Sequence, residues 1–161
     1  MKFAFLFSLF FLSILSFAQG GFKRNSVYFE LGGAGLFTSM NYERQVTAKP
    51  GLGFRTGIGF YSFRTPEVTI PVGVNYLLPI SKNRYGDIGF STTWSSADVK
   101  LYAIVDRKFP TQGGYQHFNY IPSVGYRWQT ERNWLFRLNL LLVVNDYGPL
   151  PFLGFAVGKC F

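Results

Sequence analysis

The sequence predicts an all-β protein, an eight-stranded antiparallel up-and-down transmembrane β-barrel. Three observations carry that prediction. After residue 26, apolar residues recur at every second position and no stretch keeps the 3.6-residue period of a helix. The pattern falls into eight segments, each bounded by Gly, Pro, Asn, Asp or Ser. The segments are long enough to cross a bilayer as tilted strands, which takes ~9–11 residues, and eight is the smallest usual strand number for a membrane barrel.

Residues 1–18 stand apart from this pattern. Lys2 gives a short positive start, residues 3–17 form an apolar run, and Ser16-Phe17-Ala18 offers a cleavage site with a small residue before Gln19. This reads as a signal peptide, leaving 19–161 as the barrel domain. The run is shorter than the ~20 apolar residues of a spanning helix. No later segment is long and apolar enough for a helical span.

The candidate strands are 26–33, 36–47, 51–62, 67–79, 85–96, 116–129, 133–145 and 150–161. In the first, Val27, Phe29 and Leu31 share one face, and Tyr28, Glu30 and Gly32 the other. The second sets Leu36, Met40 and Tyr42 against Ser39, Asn41 and Glu43. The third sets Phe54, Ile58 and Phe60 against Gly53, Arg55, Gly57 and Gly59. The fourth and fifth oppose Ile70, Val72, Val74, Ile88 and Phe90 to Gly73, Asn75, Asp87 and Gly89. In the sixth to eighth, Tyr126, Trp128, Leu138, Leu140 and Phe155 oppose Gly125, Arg127, Arg137, Asn139 and Gly154. One face is thus large and apolar, the other small and polar.

Alternation alone does not say which face is inside. A soluble lipocalin-like carrier of an apolar ligand, working in the periplasm, would turn the bulky face inward. Size argues against it: an eight-stranded interior is just wide enough for its side chains, and so many Phe, Tyr, Trp, Leu and Ile would overfill it. Glycines and small polar groups fit that lumen, and bulky residues then face lipid. Aromatics near strand ends, such as Tyr42, Tyr76, Trp94, Trp128 and Trp134, suit the interfacial girdles. Connections at 48–50, 80–84 and 130–132 are short and 97–115 is long, which places the short turns in the periplasm and the long loop outside. Residues 99–105 (VKLYAIV) read as an extension of the fifth strand or as an extra hairpin strand.

The run Val27-Tyr28-Phe29-Glu30-Leu31-Gly32-Gly33-Ala34-Gly35 with Ser39-Met40-Asn41-Tyr42-Glu43-Arg44 resembles the first hairpin of small outer-membrane β-barrel proteins of the Bacteroidota type. The segments 51–59, 70–77 and 150–154 are similar in the same way. The resemblance implies a porin-like barrel in the outer membrane of a Gram-negative cell, in a family without one shared activity. Phe161 is similar to the terminal aromatic read by the barrel assembly machinery, although Cys160 departs from the residue usually found before it.

The chain carries 16 Lys+Arg against 8 Asp+Glu. Three acidic (Glu30, Glu43, Asp87) and three basic (Arg55, Arg127, Arg137) residues fall on the lumen face and balance. Charges in a narrow barrel must be paired, so this balance predicts a structural ion-pair network rather than an ion path. A hairpin centred on Lys49 sets Glu43 opposite Arg55, and the two are expected to pair. The excess cations lie at the turns (Lys49, Lys82, Arg84, Arg132) and in the outer loops (Arg64, Lys100, Arg107, Lys108), where lipid and lipopolysaccharide head groups are the expected partners. Their scatter argues against nucleic acid.

No catalytic, cofactor or metal site is expected. The single cysteine, Cys160, cannot form an internal disulfide, and no Cys/His cluster offers zinc ligands. The alternating glycines of GLGFRTGIGF lie along one strand face with no helix behind them, so they do not form a phosphate cradle. Some outer-membrane lipid A deacylases carry His-x-Ser on one strand face. Here the motif reads His117-Phe118-Asn119, and an amide cannot serve as the nucleophile. The sequence therefore predicts a monomeric outer-membrane barrel with a structural or surface-interaction role. A lipid A-modifying enzyme is the more distant alternative.

Overall fold

The computed structural model describes residues 22–61, 66–97, 99, 117–145 and 148–161. The signal-peptide reading of 1–18 and the cations Arg64, Lys100, Arg107 and Lys108 lie outside these residues, as does most of 97–115. The chain folds as β1 (Asn25–Leu31), β2 (Thr38–Gln45), β3 (Leu52–Tyr61), β4 (Glu67–Ser81), β5 (Arg84–Ser95), β6 (Phe118–Gln129), β7 (Trp134–Asn145) and β8 (Gly148–Cys160). Every strand pairs antiparallel with its sequence neighbour, and β8 returns to β1 to close the barrel. The seam runs from Ser26 opposite Cys160 to Leu31 opposite Phe155, and Asn25 and Phe161 exchange backbone hydrogen bonds at its end. Closure leaves no strand edge exposed.

The eight expected strands agree with those observed to within a few residues at each end. Of the segment 99–105 only Val99 is described; it is buried and lies outside any strand. Three ladders are interrupted beside a proline, which has no N–H to give: β4–β5 shifts register between Pro79 and Ser81, and two others skip a step. The β3–β4 pairing jumps from Thr56–Val72 to Gly59–Thr69 around Pro71, and the β6–β7 pairing from Tyr120–Val144 to Ser123–Leu141 around Pro122.

The large apolar face points outward. Phe54, Ile58, Tyr120, Leu138 and Leu153 are among the exposed bulky residues, reaching 68% exposure at Leu153. The inward-facing arrangement of a lipocalin-like carrier is therefore not the one the chain adopts. Glycines line the inside because the filled lumen leaves no room for a Cβ. One placed on Gly53 would strike the Gln45 amide, one on Gly57 or Gly125 the amide of Asn41 or Asn139, and one on Gly73 the Ser91 hydroxyl.

Leu36 corrects the expected outward face of β2. Residues 32–37 form a turn, and β2 starts only at Thr38. Leu36 takes a left-handed backbone (φ 74°) and turns into the lumen, where it is 3% exposed.

Candidate functional site

The lumen gathers the residues that sequence reasoning singled out, and Glu43 is at its centre. On β6 and β7, Arg127 and Arg137 stand directly opposite one another in the ladder. Two like charges facing each other repel, and more strongly away from water. The carboxylate that separates them comes from β2, across the bore. Glu43 Oε1 bonds Arg127 Nη1, and Glu43 Oε2 accepts from Arg137 Nη2 at 2.5 Å. Arg137 Nε also lies 2.9 Å from Asp87 Oδ2 on β5. All four side chains are at most 3% exposed.

Neutral groups complete this cluster. Gln45 Nε2 and Asn75 Nδ2 donate to Glu43 Oε1 at 3.0 and 3.3 Å, and Asn75 Nδ2 also reaches Asp87 Oδ1 at 3.3 Å. Arg137 Nη1 donates to the Tyr28 hydroxyl at 3.0 Å, and its guanidinium lies 4.7 Å from the centre of the Tyr28 ring. Cys160 packs among Tyr28, Leu135 and Ala156, with its Sγ 3.9 Å from Arg127 Nη2. It is a wall residue.

Glu43 and Arg55 face each other in the β2–β3 ladder, as expected from a hairpin centred on Lys49, yet they do not pair. Glu43 is drawn across the lumen to the two opposed arginines. Arg55 instead runs over Gly73 and Gly89, where no side chain blocks it, to donate from Nε to Ser91 Oγ at 2.9 Å and from Nη2 to Ser123 Oγ at 3.4 Å. The last lumen carboxylate, Glu30, folds back on its own turn and accepts from Ala34 N at 3.1 Å. Its side chain occupies the space a Cβ on Gly33 would need.

The loop-side half of the lumen is built around an apolar cluster, a feature the sequence pattern does not show. Leu36, Val99, Ile121, Leu141 and Val143 form one buried cluster, with Tyr61 and Phe152 packed on it. Above it the 32–37 turn dips into the bore, its carbonyls at Ala34 and Gly35 accepting from Thr93 Oγ1 at 2.5 Å and Thr69 Oγ1 at 2.9 Å. β7 carries apolar residues at both parities through LNLLLVV, so alternation could not mark Leu141 and Val143 as inward.

His117 sits where β6 begins. Its Nδ1 lies 2.8 Å from Ser95 O, a donor contact, and its ring stacks on Trp94 with centroids 6.0 Å apart. Asn119, on the same face, is buried and donates to Thr93 O at 3.3 Å. The neighbouring Ser95 hydroxyl donates to the carbonyls of Ala97 at 2.7 Å and His117 at 3.5 Å.

These features define a closed eight-stranded barrel with an apolar exterior and a lumen filled at both ends. Among solved structures, it is similar to the outer membrane protein Ail of Yersinia pestis, determined in a phospholipid bilayer nanodisc, with a TM-score of 0.51, 10% sequence identity, and coverage of 87% of this chain and 100% of that one. At that identity the likeness is one of fold. No protein-family model matches the sequence. No curated protein matches it either.

Proposed function

We propose that the chain is an integral outer-membrane barrel of a Gram-negative envelope, of the Bacteroidota type, exported by the signal peptide 1–18. It is monomeric and holds no cofactor, and its closed lumen serves as a rigid, non-catalytic support for loops that act at the cell surface. The observation that carries the reading is the exterior. Bulky side chains exposed on all eight strands, from Val27 and Phe29 to Leu153 and Phe155, make a continuous apolar belt. A soluble monomer rarely exposes an apolar patch of more than a few hundred Å².

The likeness to Ail supports the same reading, as does the pattern of connections. The turns at 46–51, 82–83 and 130–133 share the end of the barrel that holds Asn25 and Phe161, and this end faces the periplasm. The opposite end carries the 97–115 loop, and its cations Arg64, Lys100, Arg107 and Lys108 meet lipopolysaccharide phosphates. Phe161, packed at the seam, is the signal for the barrel assembly machinery. The reading without catalysis is supported by Asn119 in place of a serine beside His117.

The chain should stay with the membrane fraction after high-salt washing, dissolve in detergent, and change gel mobility on boiling. Recovery in the soluble periplasmic fraction would overturn the membrane reading, and release of fatty acid from lipid A would overturn the non-catalytic one. Leu140→Arg, on the proposed lipid face, should destabilise the folded barrel by ~2–4 kcal/mol in unfolding experiments with lipid vesicles.

A further inference from the structure

We propose that the outer wall at the turn end, across β2, β3 and β4, holds an anionic glycerophospholipid, with its phosphate on Arg24 and Arg44 and an acyl chain along the wall. The inference rests on the membrane reading above.

A groove of about 520 Å³ lies here, lined by Arg24, Arg44, Tyr42, Phe54, Thr56 and Val72. Its volume falls within the roughly 300–1,000 Å³ of clefts that hold small ligands. Its floor is laid by two short side chains, Thr56 and Val72. The outward row of β3 reads Leu52, Phe54, Thr56, Ile58, Phe60, and Thr56 breaks it with a short side chain. In the ladder, Thr56 lies between Tyr42 on β2 and Val72 on β4. Tyr42 and Phe54 rise above Thr56 and the equally short Val72, and wall a furrow over them.

One row closer to the turn, Phe54 faces Arg44. Arg44 is exposed, and no partner is found for it among the described residues. Arg24 donates from Nη2 to Val46 O at 2.6 Å and from Nε to Gln45 O at 3.3 Å. Those carbonyls hold its side chain in place and leave its charge uncompensated. Two guanidiniums therefore stand at the mouth of an apolar furrow. Guanidinium groups bind phosphate with paired N–H donors, and the furrow accepts the attached chain.

The surrounding charge favours the same occupant. Lys23, Arg24, Arg44, Lys49, Lys82, Arg84, Arg132 and Lys159 lie around this end of the barrel, whereas Glu131 is the one acidic side chain among the described residues of its rim, and it pairs with Lys82 at 3.2 Å. A zwitterionic head group brings an ammonium into this field. An anionic one does not.

The test is native mass spectrometry of the full chain refolded in detergent, mixed with equal amounts of phosphatidylglycerol and phosphatidylcholine of the same chain length. Gel mobility before and after boiling reports folding in each sample. The wild-type barrel should retain phosphatidylglycerol about thirtyfold over phosphatidylcholine, as two basic residues at a membrane surface imply. Arg24→Gln/Arg44→Gln should bring the ratio close to one. Arg44→Gln alone removes no hydrogen bond found among the described residues, should fold normally, and should lower the ratio about fivefold. Thr56→Trp should fill the furrow and reduce retention of both lipids. A folded wild-type barrel without preference, or an unchanged preference in folded Arg44→Gln, would overturn the lipid site and leave the membrane reading standing. A chain that stays soluble without detergent would overturn both.

Discussion

The two halves of the lumen are closed by different means. Towards the turns the bore is spanned by charge: Glu43 reaches from β2 to Arg127 and Arg137 on the far wall, and Asp87 braces Arg137 from β5. Towards the loops it is packed with Leu36, Ile121, Leu141 and Val143 beneath an inserted turn. The same wall of strands thus encloses a polar half, whose members depend on one another, and an apolar half, whose members contribute separately. A buried ion pair is strongly destabilising when one partner is lost, because the other is left desolvated and alone. A buried leucine costs only its own burial and the cavity left behind.

Glu43→Gln should therefore be the most damaging substitution in the lumen. It leaves two opposed guanidiniums without the carboxylate between them and should cost ~3–5 kcal/mol in denaturant unfolding of the detergent-refolded barrel. If it costs no more than an exposed Glu131→Gln, the polar half is not held together as described.

In the apolar half, Leu141→Ala should cost ~2–4 kcal/mol in the same assay. The loss should be indifferent to substitutions in the polar half, since separate clusters add. Coupling as large as the single losses would mean that the two halves form one unit.

Arg55→Met removes a cation held by two hydroxyls rather than by a carboxylate, and should cost less, ~1–3 kcal/mol. The smallest expected effect is at Leu36, whose left-handed backbone costs ~1–2 kcal/mol while its burial returns ~1.5–3. Leu36→Gly relieves the strain that Leu36→Ala keeps, so the glycine variant should be the more stable of the two. The reverse order would show that residue 36 does not adopt φ 74° in the folded barrel.

This contrast also marks how far the sequence could be read. Strand number, inward glycines and the outward face of residues such as Phe54, Ile88 and Leu138 follow from a two-residue period, which is local. The β2–β3 register was equally legible, because a short turn fixes which residues oppose. Cross-lumen contacts obey no such rule. They depend on how β8 meets β1 and on how far strands stagger around the barrel, so nearest-neighbour counting offered Arg55 as the partner of Glu43. The same counting across the 130–133 turn sets Arg127 opposite Arg137, a repulsive arrangement that itself demands an anion from another wall. Leu36 escaped because nothing in Gly-Ala-Gly-Leu-Phe tells a leucine that opens a strand from one held in a left-handed turn. The apolar half escaped because β7 is apolar at both parities.

A pair of double-mutant cycles tests the central claim, that the bore is bridged from β2 to β6 and β7 rather than along the β2–β3 hairpin. Glu43→Gln is combined with Arg137→Met in one cycle and with Arg55→Met in the other, each read as unfolding free energy of the detergent-refolded barrel. The structure predicts a coupling of more than ~1 kcal/mol for Glu43 with Arg137 and a clearly smaller one for Glu43 with Arg55. Coupling concentrated in the Glu43–Arg55 cycle, with Glu43 and Arg137 additive, would contradict it.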